Sequence, residues 1–314
     1  MPQNRRAQTP IQPLNVGNVV ISGFRLYATH LHVYLDIASR ANLWLLLAFL
    51  PIIPFPILLI YRQIEYSALW VIIPIWLLIL LYCSAKYLTN SALISRLAFG
   101  ELINQPEPIN IARRKLMPLK WRFLQAAVFI YMIFFCIYGF IFICTFIFYL
   151  ALRILKIAIG RLGNANIVSL IIGILGLFFI VLLIICVFSC FFPRFFITEV
   201  PLAVENNISA KITIRRSWNL TKGNIFRIIL ISLLTFVMTI PILILVQILT
   251  IAIQKNIPEK PVEFAILSNT LGYIISLVAS IFTLPLWQII KAVVYYDLRS
   301  RREWLDSQLR DRAI

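Results

Sequence analysis

The sequence predicts an all-α integral membrane protein. It has six transmembrane helices in three helical hairpins, with amphipathic helices at the cytoplasmic interface. Three observations lead there. Of 314 residues, 61% are hydrophobic and 13% charged, against about 25% charged in soluble domains. Six stretches, near 43–61, 68–88, 123–150, 167–193, 226–253 and 266–290, reach the roughly 20 apolar residues that a span requires. Lys and Arg are also sorted by side. The two ends and the loops after the second and fourth spans carry 23 of them, and the remaining loops carry six. That asymmetry places both termini in the cytoplasm, as does an even number of spans. It also explains the net charge of +17 by topology, so no nucleic-acid partner is expected.

Residues 1–13 read as a disordered tail, and the first forty residues hold no short apolar core before a small-residue cleavage site. From Val16 to Tyr34 the residues Val16, Val20, Phe24, Tyr27, Leu31 and Tyr34 recur at helical steps. Asn18, Ser22, Arg25, Thr29, His32 and Asp36 take the opposite face. This predicts one amphipathic interfacial helix. Span 1 is broken by Pro51, Pro54 and Pro56, and Pro74, Pro241 and Pro285 fall in spans 2, 5 and 6. Proline kinks helices, and kinked spans around a shared axis can leave a groove for an acyl chain. Before span 3, "RRKLMPLKWRFL" (113–124) contains Pro118, which should interrupt a helix. Span 3 runs on into "ALRILKIAI" and is expected to bend at the surface, with Arg153 and Lys156 among head groups.

Before span 5, Lys211, Arg215, Asn219 and Lys222 share one helical face, and Ala210, Ile214 and Trp218 share another. Such a helix lies in the interface, basic groups toward anionic lipid. Gly223 can end it in the left-handed conformation, and Asn224 can cap the span that follows. Phe24 set under Trp218 aligns Leu26 with Leu220, His30 with Asn224 and Tyr34 with Ile228. Three related units follow, about 14–100, 101–200 and 201–298, then a charged C-terminal helix over 299–314. There Asp297–Arg301, Arg299–Glu303, Arg302–Asp306 and Asp306–Arg310 have i,i+4 spacing, as expected of a solvated exit helix. The five cysteines all fall in apolar stretches and are read as small packing residues.

Three segments carry a family resemblance. "FRLYATH" (24–30), "RSWNLTKGNIFRI" (216–228) and "YYDLRSRRE" (295–303) together resemble a broad family of bacterial six-span membrane proteins. That family includes the membrane portion of membrane-anchored glycerophosphodiester phosphodiesterases. The opening "GNVVISGFRLYATHLHVYL" is similar to its cyanobacterial members. The resemblance implies a multi-pass protein of the bacterial inner membrane, or the thylakoid membrane, with a loose link to lipids. In the phosphodiesterases, catalysis belongs to a separate soluble barrel with metal-binding carboxylates and histidines. The 314 residues here hold two histidines and no room for such a barrel.

No HExxH, G-x-S-x-G or phosphate-binding glycine loop occurs, so no catalytic, cofactor or metal residues are expected. Glu101, Glu107, Glu199 and Glu205 are scattered in sequence and are read as capping or ion-pairing groups. No ionisable residue lies well inside a span, which argues against ion-coupled transport. Thr145, Ser189, Thr235, Thr239, Gln247, Asn269, Ser276, Ser280 and Thr283 are read as helix-to-helix hydrogen-bonding groups. The expectation is a non-catalytic protein that binds, organises or moves an amphiphile. Arg25, Lys211, Arg215, Trp218, Lys222 and Asn224 are the candidate head-group residues. The alternatives are an assembly partner docking through Tyr296, Asp297, Arg299, Arg301, Glu303 and Trp304, or a small-solute permease without ion coupling.

Overall fold

The computed structural model describes residues 15–52, 66–160, 165–205, 208–256 and 262–312. Among them the chain is helical throughout, without strands. The α-helices are α1 (Val16–Thr29), α2 (Leu31–Phe49), α3 (Leu69–Leu102), α4 (Ile109–Leu116), α5 (Lys120–Gly160), α6 (Ala165–Phe195), α7 (Glu199–Val204), α8 (Ala210–Thr221), α9 (Ile225–Asn256) and α10 (Val262–Arg312). Among the described residues five segments are long and apolar enough to cross a membrane: Leu69–Leu102, Ile109–Ile154, Gly173–Val204, Ile225–Lys255 and Ser268–Arg302. The chain is a membrane protein. Of the span predicted near 43–61, α2 ends at Phe49 and a 3₁₀ turn holds Pro51; residues 53–65, with Pro54 and Pro56, lie outside the described residues. The Trp76 indole donates to the Ala48 carbonyl at 3.0 Å, meeting one of the carbonyls a helix C-terminus leaves open.

The buried core gathers at one end of the bundle. Ile37, Leu93, Ile197, Ile228, Ile290 and Tyr295 are all at 2% exposure or less. At the other end α3, α5, α6 and α9 turn Trp70, Phe135, Phe142, Phe178 and Leu245 outward. Water would penalise so much outward apolar surface, whereas hydrocarbon does not. Helices are required there, because lipid offers no partner for a backbone polar group.

Several predicted elements hold. Pro118 lies in a 3₁₀ turn between α4 and α5. Gly223 has φ +85°, and Asn224 precedes α9, its carbonyl accepting the Ile228 N–H at 3.1 Å. His30 lies between α1 and α2, and Lys222, Gly223 and Asn224 lie between α8 and α9. At the aligned positions Tyr34 and Ile228 are both buried, and Phe24 and Trp218 both exposed.

Other expectations are corrected. The helix read as continuous from Val16 to Tyr34 breaks at His30, and its buried face is Val19, Val20 and Gly23, with Phe24 and Leu31 outward. The reason is packing: α1 lies against α9 and α10, and Gly23 sits over Ile290. In α8 the buried face is Ala210, Thr213, Ser217, Leu220 and Thr221. Its hydroxyls tolerate burial because each donates to a main-chain carbonyl: Thr213 to Ser209, Thr221 to Ser217 and Ser217 to Arg194. Pro74, Pro241 and Pro285 do lie inside long helices, where the sequence placed them. Cys136, Cys186 and Cys190 are exposed on apolar helices, so they face outward rather than pack the interior; Cys83 is buried. Most of the span hydroxyls donate within their own helix, as Thr235 does to Ile231 and Thr239 to Phe236. Ser280 crosses between helices, to Asn42 on α2.

Candidate functional site

Acidic residues far apart in the sequence converge on the buried end of the bundle, each with basic partners. Glu107 receives both forks of Arg96 (2.9 and 3.1 Å) and the Lys115 ammonium (2.7 Å). Arg96 also donates to the Ala203 carbonyl at 2.6 Å, joining α3 to the α4 and α7 segments. Hydrogen bonds from Arg96 hold the Glu107 carboxyl well below the usual range, at about 2. Glu205 pairs with Arg216 at 2.6 Å and accepts from the Tyr295 hydroxyl. Asp297, 2% exposed, pairs with Arg227 at 3.0 Å and Arg301 at 3.1 Å. Ion pairing is thus the role of Glu107, Glu199 and Glu205. Glu101 stands 3.9 Å from His30.

Under this lattice lies a groove of about 610 Å³ between α3, α5, α6 and α10. The volume is within the range of small-molecule sites, about 300–1,000 Å³. Its walls are mostly apolar, with Phe123, Ile130, Phe134, Phe192, Leu284 and Trp287. The space exists because small residues face it: Ala126 and Ala127 on α5, Ser91 on α3 and Ser280 on α10. No proline side chain is among its lining residues, although Pro285 lies between the lining residues Leu284 and Trp287. Along α10 the lining runs from Ser280 to Lys291, about 16 Å at 1.5 Å per residue.

One end of the groove is polar. Glu199 accepts from the Gln288 amide at 3.0 Å and from Lys291 at 3.3 Å. The Gln288 oxygen accepts from Ser95 at 2.8 Å, which fixes the amide's direction. The two charges at this end balance, and Glu199 and Lys291 stay partly exposed, at 28% and 18%. Lys291 therefore keeps N–H donors and Glu199 keeps lone pairs for a polar group entering from the groove.

The sequence-predicted site residues do not form one site. Lys211 reaches over the Phe129 ring at 5.8 Å. Trp218 carries the Arg194 guanidinium 4.6 Å from its ring centroid and packs on Phe191 and Phe195. Lys222 and Asn224 lie at the Gly223 corner. Arg25 is on α1, which packs on α9 and α10, in a separate exposed patch. Arg215 lines a small pocket with Arg216, Asn219, Arg299 and Arg302, so candidates from two predicted sites meet there.

Of the docking residues, Asp297 is buried and paired inside the chain, Arg301 is its partner, and Tyr296 packs half-buried against Phe99. Just before the helix predicted over 299–314, Ala292, Val293, Val294, Tyr295, Asp297 and Leu298 are buried. The side chains of Glu303 and Trp304, and the pairs predicted through Glu303 and Asp306, lie outside the described residues. Sequence reasoning missed the groove's own residues. The available signal was the run of small residues at Ala126 and Ala127 in an otherwise bulky span.

No curated protein and no solved structure matches the chain. A family profile described as a domain of unknown function, DUF7847, matches residues 113–298. That is more than half of the chain, and it includes the α5, α6 and α10 walls of the groove and its Glu199–Lys291 end. The chain belongs to the DUF7847 family.

Proposed function

We propose that this protein binds one acyl chain of an amphiphile in the groove, with the polar or zwitterionic head at Glu199, Gln288 and Lys291. The observation that carries this is a match of length and polarity. The groove is about 16 Å long and ends in a charge-balanced polar group. One leaflet of a bilayer is about 15 Å of hydrocarbon. The protein would act without catalysis, holding or moving the lipid. It would have six spans in three hairpins and both termini in the cytoplasm, in a bacterial inner or thylakoid membrane. The Lys and Arg asymmetry supports that orientation. The recurrence of a short helix before two long mutually packed helices, in α1–α3, α4–α6 and α8–α10, supports the three units. The glycerophosphodiester phosphodiesterase resemblance supports the link to lipids.

The test is native mass spectrometry of gently extracted protein, with lipid analysis of what stays bound. Ala127 is half-exposed and faces the groove, so Ala127→Phe fills the space without displacing the core. Retained amphiphile should fall at least tenfold in this variant while thermal unfolding is unchanged. Equal retention in the variant would refute the groove as the binding site.

A further inference from the structure

A second cluster lies at the level where three helices change from polar to apolar. Trp44 on α2 opens the run "LWLLLAFL", Tyr82 and Lys86 close the apolar run of α3, and Lys120 and Trp121 open α5. The fold brings these changeovers together. The Lys86 ammonium stands 5.6 Å from the Trp44 ring centroid and 5.8 Å from that of Tyr82. The Lys120 ammonium stands 4.8 Å from Tyr82 and 5.6 Å from Trp121. Trp44 and Tyr82 meet edge to face at 5.9 Å.

Two cations therefore share one tyrosine ring. Among the described residues neither pairs with a carboxylate, and the polar contact of Lys86 is the Met117 sulfur at 3.8 Å. Other cations of the same end, Arg96, Lys115, Arg216, Arg227 and Lys291, have acidic partners. Aromatic faces attract the ammoniums but leave their like-charge repulsion and their N–H donors unmet. Trp121 is 48% exposed, and its indole N–H has no acceptor among the described residues. Interfacial tryptophan and tyrosine sit at head-group depth, and long basic side chains reach to that level.

We infer that Lys86, Lys120 and Trp121 form a binding site for the phosphodiester of an anionic phospholipid, separate from the groove. The phosphate oxygens accept from both ammoniums and the indole, and its charge offsets theirs. The glycerol and acyl chains continue along the outward apolar faces of α3 and α5, past Leu78 and Val128, both exposed.

The experiment titrates delipidated, detergent-solubilised protein with phosphatidylglycerol or phosphatidylcholine and follows the bound lipid by native mass spectrometry. Near an anionic surface each basic side chain contributes a factor of about five. Lys86→Gln and Lys120→Gln should each weaken phosphatidylglycerol retention about fivefold, and the double variant about 25-fold. Trp121→Phe, which keeps a ring and loses the N–H, should weaken it by a smaller factor and serves if the lysine variants do not fold. Arg114→Gln removes an equal charge from exposed α4 and should leave retention unchanged. All variants are compared in the Ala127→Phe background, which fills the groove, so that retention reports this site alone. Unchanged retention in both the double variant and Trp121→Phe overturns the site. Retention of phosphatidylcholine equal to phosphatidylglycerol overturns the anionic assignment. Inorganic phosphate binding as tightly as phosphatidylglycerol overturns the lipid as the source of the phosphate.

Discussion

Removing the Asp297 carboxylate probes the polar lattice most sharply. Asp297 is 2% exposed and holds Arg227, itself 17% exposed, at 3.0 Å and Arg301, 30% exposed, at 3.1 Å. It ties α9 to α10 at the most buried stretch of the bundle. Breaking a buried pair by deleting one partner costs about 3–5 kcal/mol, because the other charge stays behind without its counter-ion. Arg301 can turn to water, but Arg227 has little room to do so. Asp297→Ala should therefore cost about 3 kcal/mol. Asp297→Asn, which keeps the shape, should cost somewhat less. Replacing both partners tests the cause. Arg227→Met in the Asp297→Asn background removes the stranded cation, and should recover much of the loss, since a buried ion pair can be exchanged for apolar packing at small cost. The assay is equilibrium unfolding in mixed micelles followed by circular dichroism. A cost below about 1 kcal/mol for Asp297→Ala, the range of surface pairs, would refute the claim that this carboxylate holds the two helices together. So would a double variant as damaged as the sum of the singles.

Two further outcomes follow from close contacts and charge. A Cβ on Gly23 would lie 2.4 Å from the Ile290 side-chain tip and 3.3 Å from its Cγ1; the overpacking cost of Gly23→Ala, about 1–3 kcal/mol, is offset by about 1 kcal/mol of helix propensity, so Gly23→Ala should be more stable in an Ile290→Val background than Ile290→Val alone in the same unfolding assay. Glu107 titrates at about 2 in the folded protein, below an unfolded glutamate at about 4.3. The unfolded chain thus binds more protons between these values, so the stabilisation by Arg96 and Lys115 is full above about pH 4.3 and lost as pH falls toward 2. Glu107→Gln should flatten the stability profile across that window, and an unchanged profile would count against the Arg96–Glu107–Lys115 clasp.

Local signals in the chain carried the helices, the Gly223 corner, the Pro118 break and the Asp297–Arg301 pair. Each depends on neighbours within a few residues. The facing of α1 and α8 did not follow from hydropathy. Thr213, Ser217 and Thr221 are buried because their hydroxyls bond to main-chain carbonyls, and Phe24 and Leu31 are outward because lipid replaces water as solvent. The pairings of Asp297 with Arg227 and of Glu199 with Lys291 join residues 70 and 92 apart, beyond the reach of any spacing rule. The groove likewise depends on α3, α5, α6 and α10 meeting around Ala126 and Ala127. The Lys86–Lys120 cluster depends on α2, α3 and α5 changing polarity at one level.

The central claim is that an acyl chain lies in the groove. The most direct measurement is cross-linking in proteoliposomes with a phospholipid bearing a photoreactive group on its acyl chain, with adducts mapped by mass spectrometry. Adducts should concentrate on lining residues such as Ile130, Phe134, Leu284 and Trp287, and should disappear from them in Ala127→Phe. Adducts confined to outward residues such as Phe135, Phe142 and Phe178, with none in the groove, would contradict it.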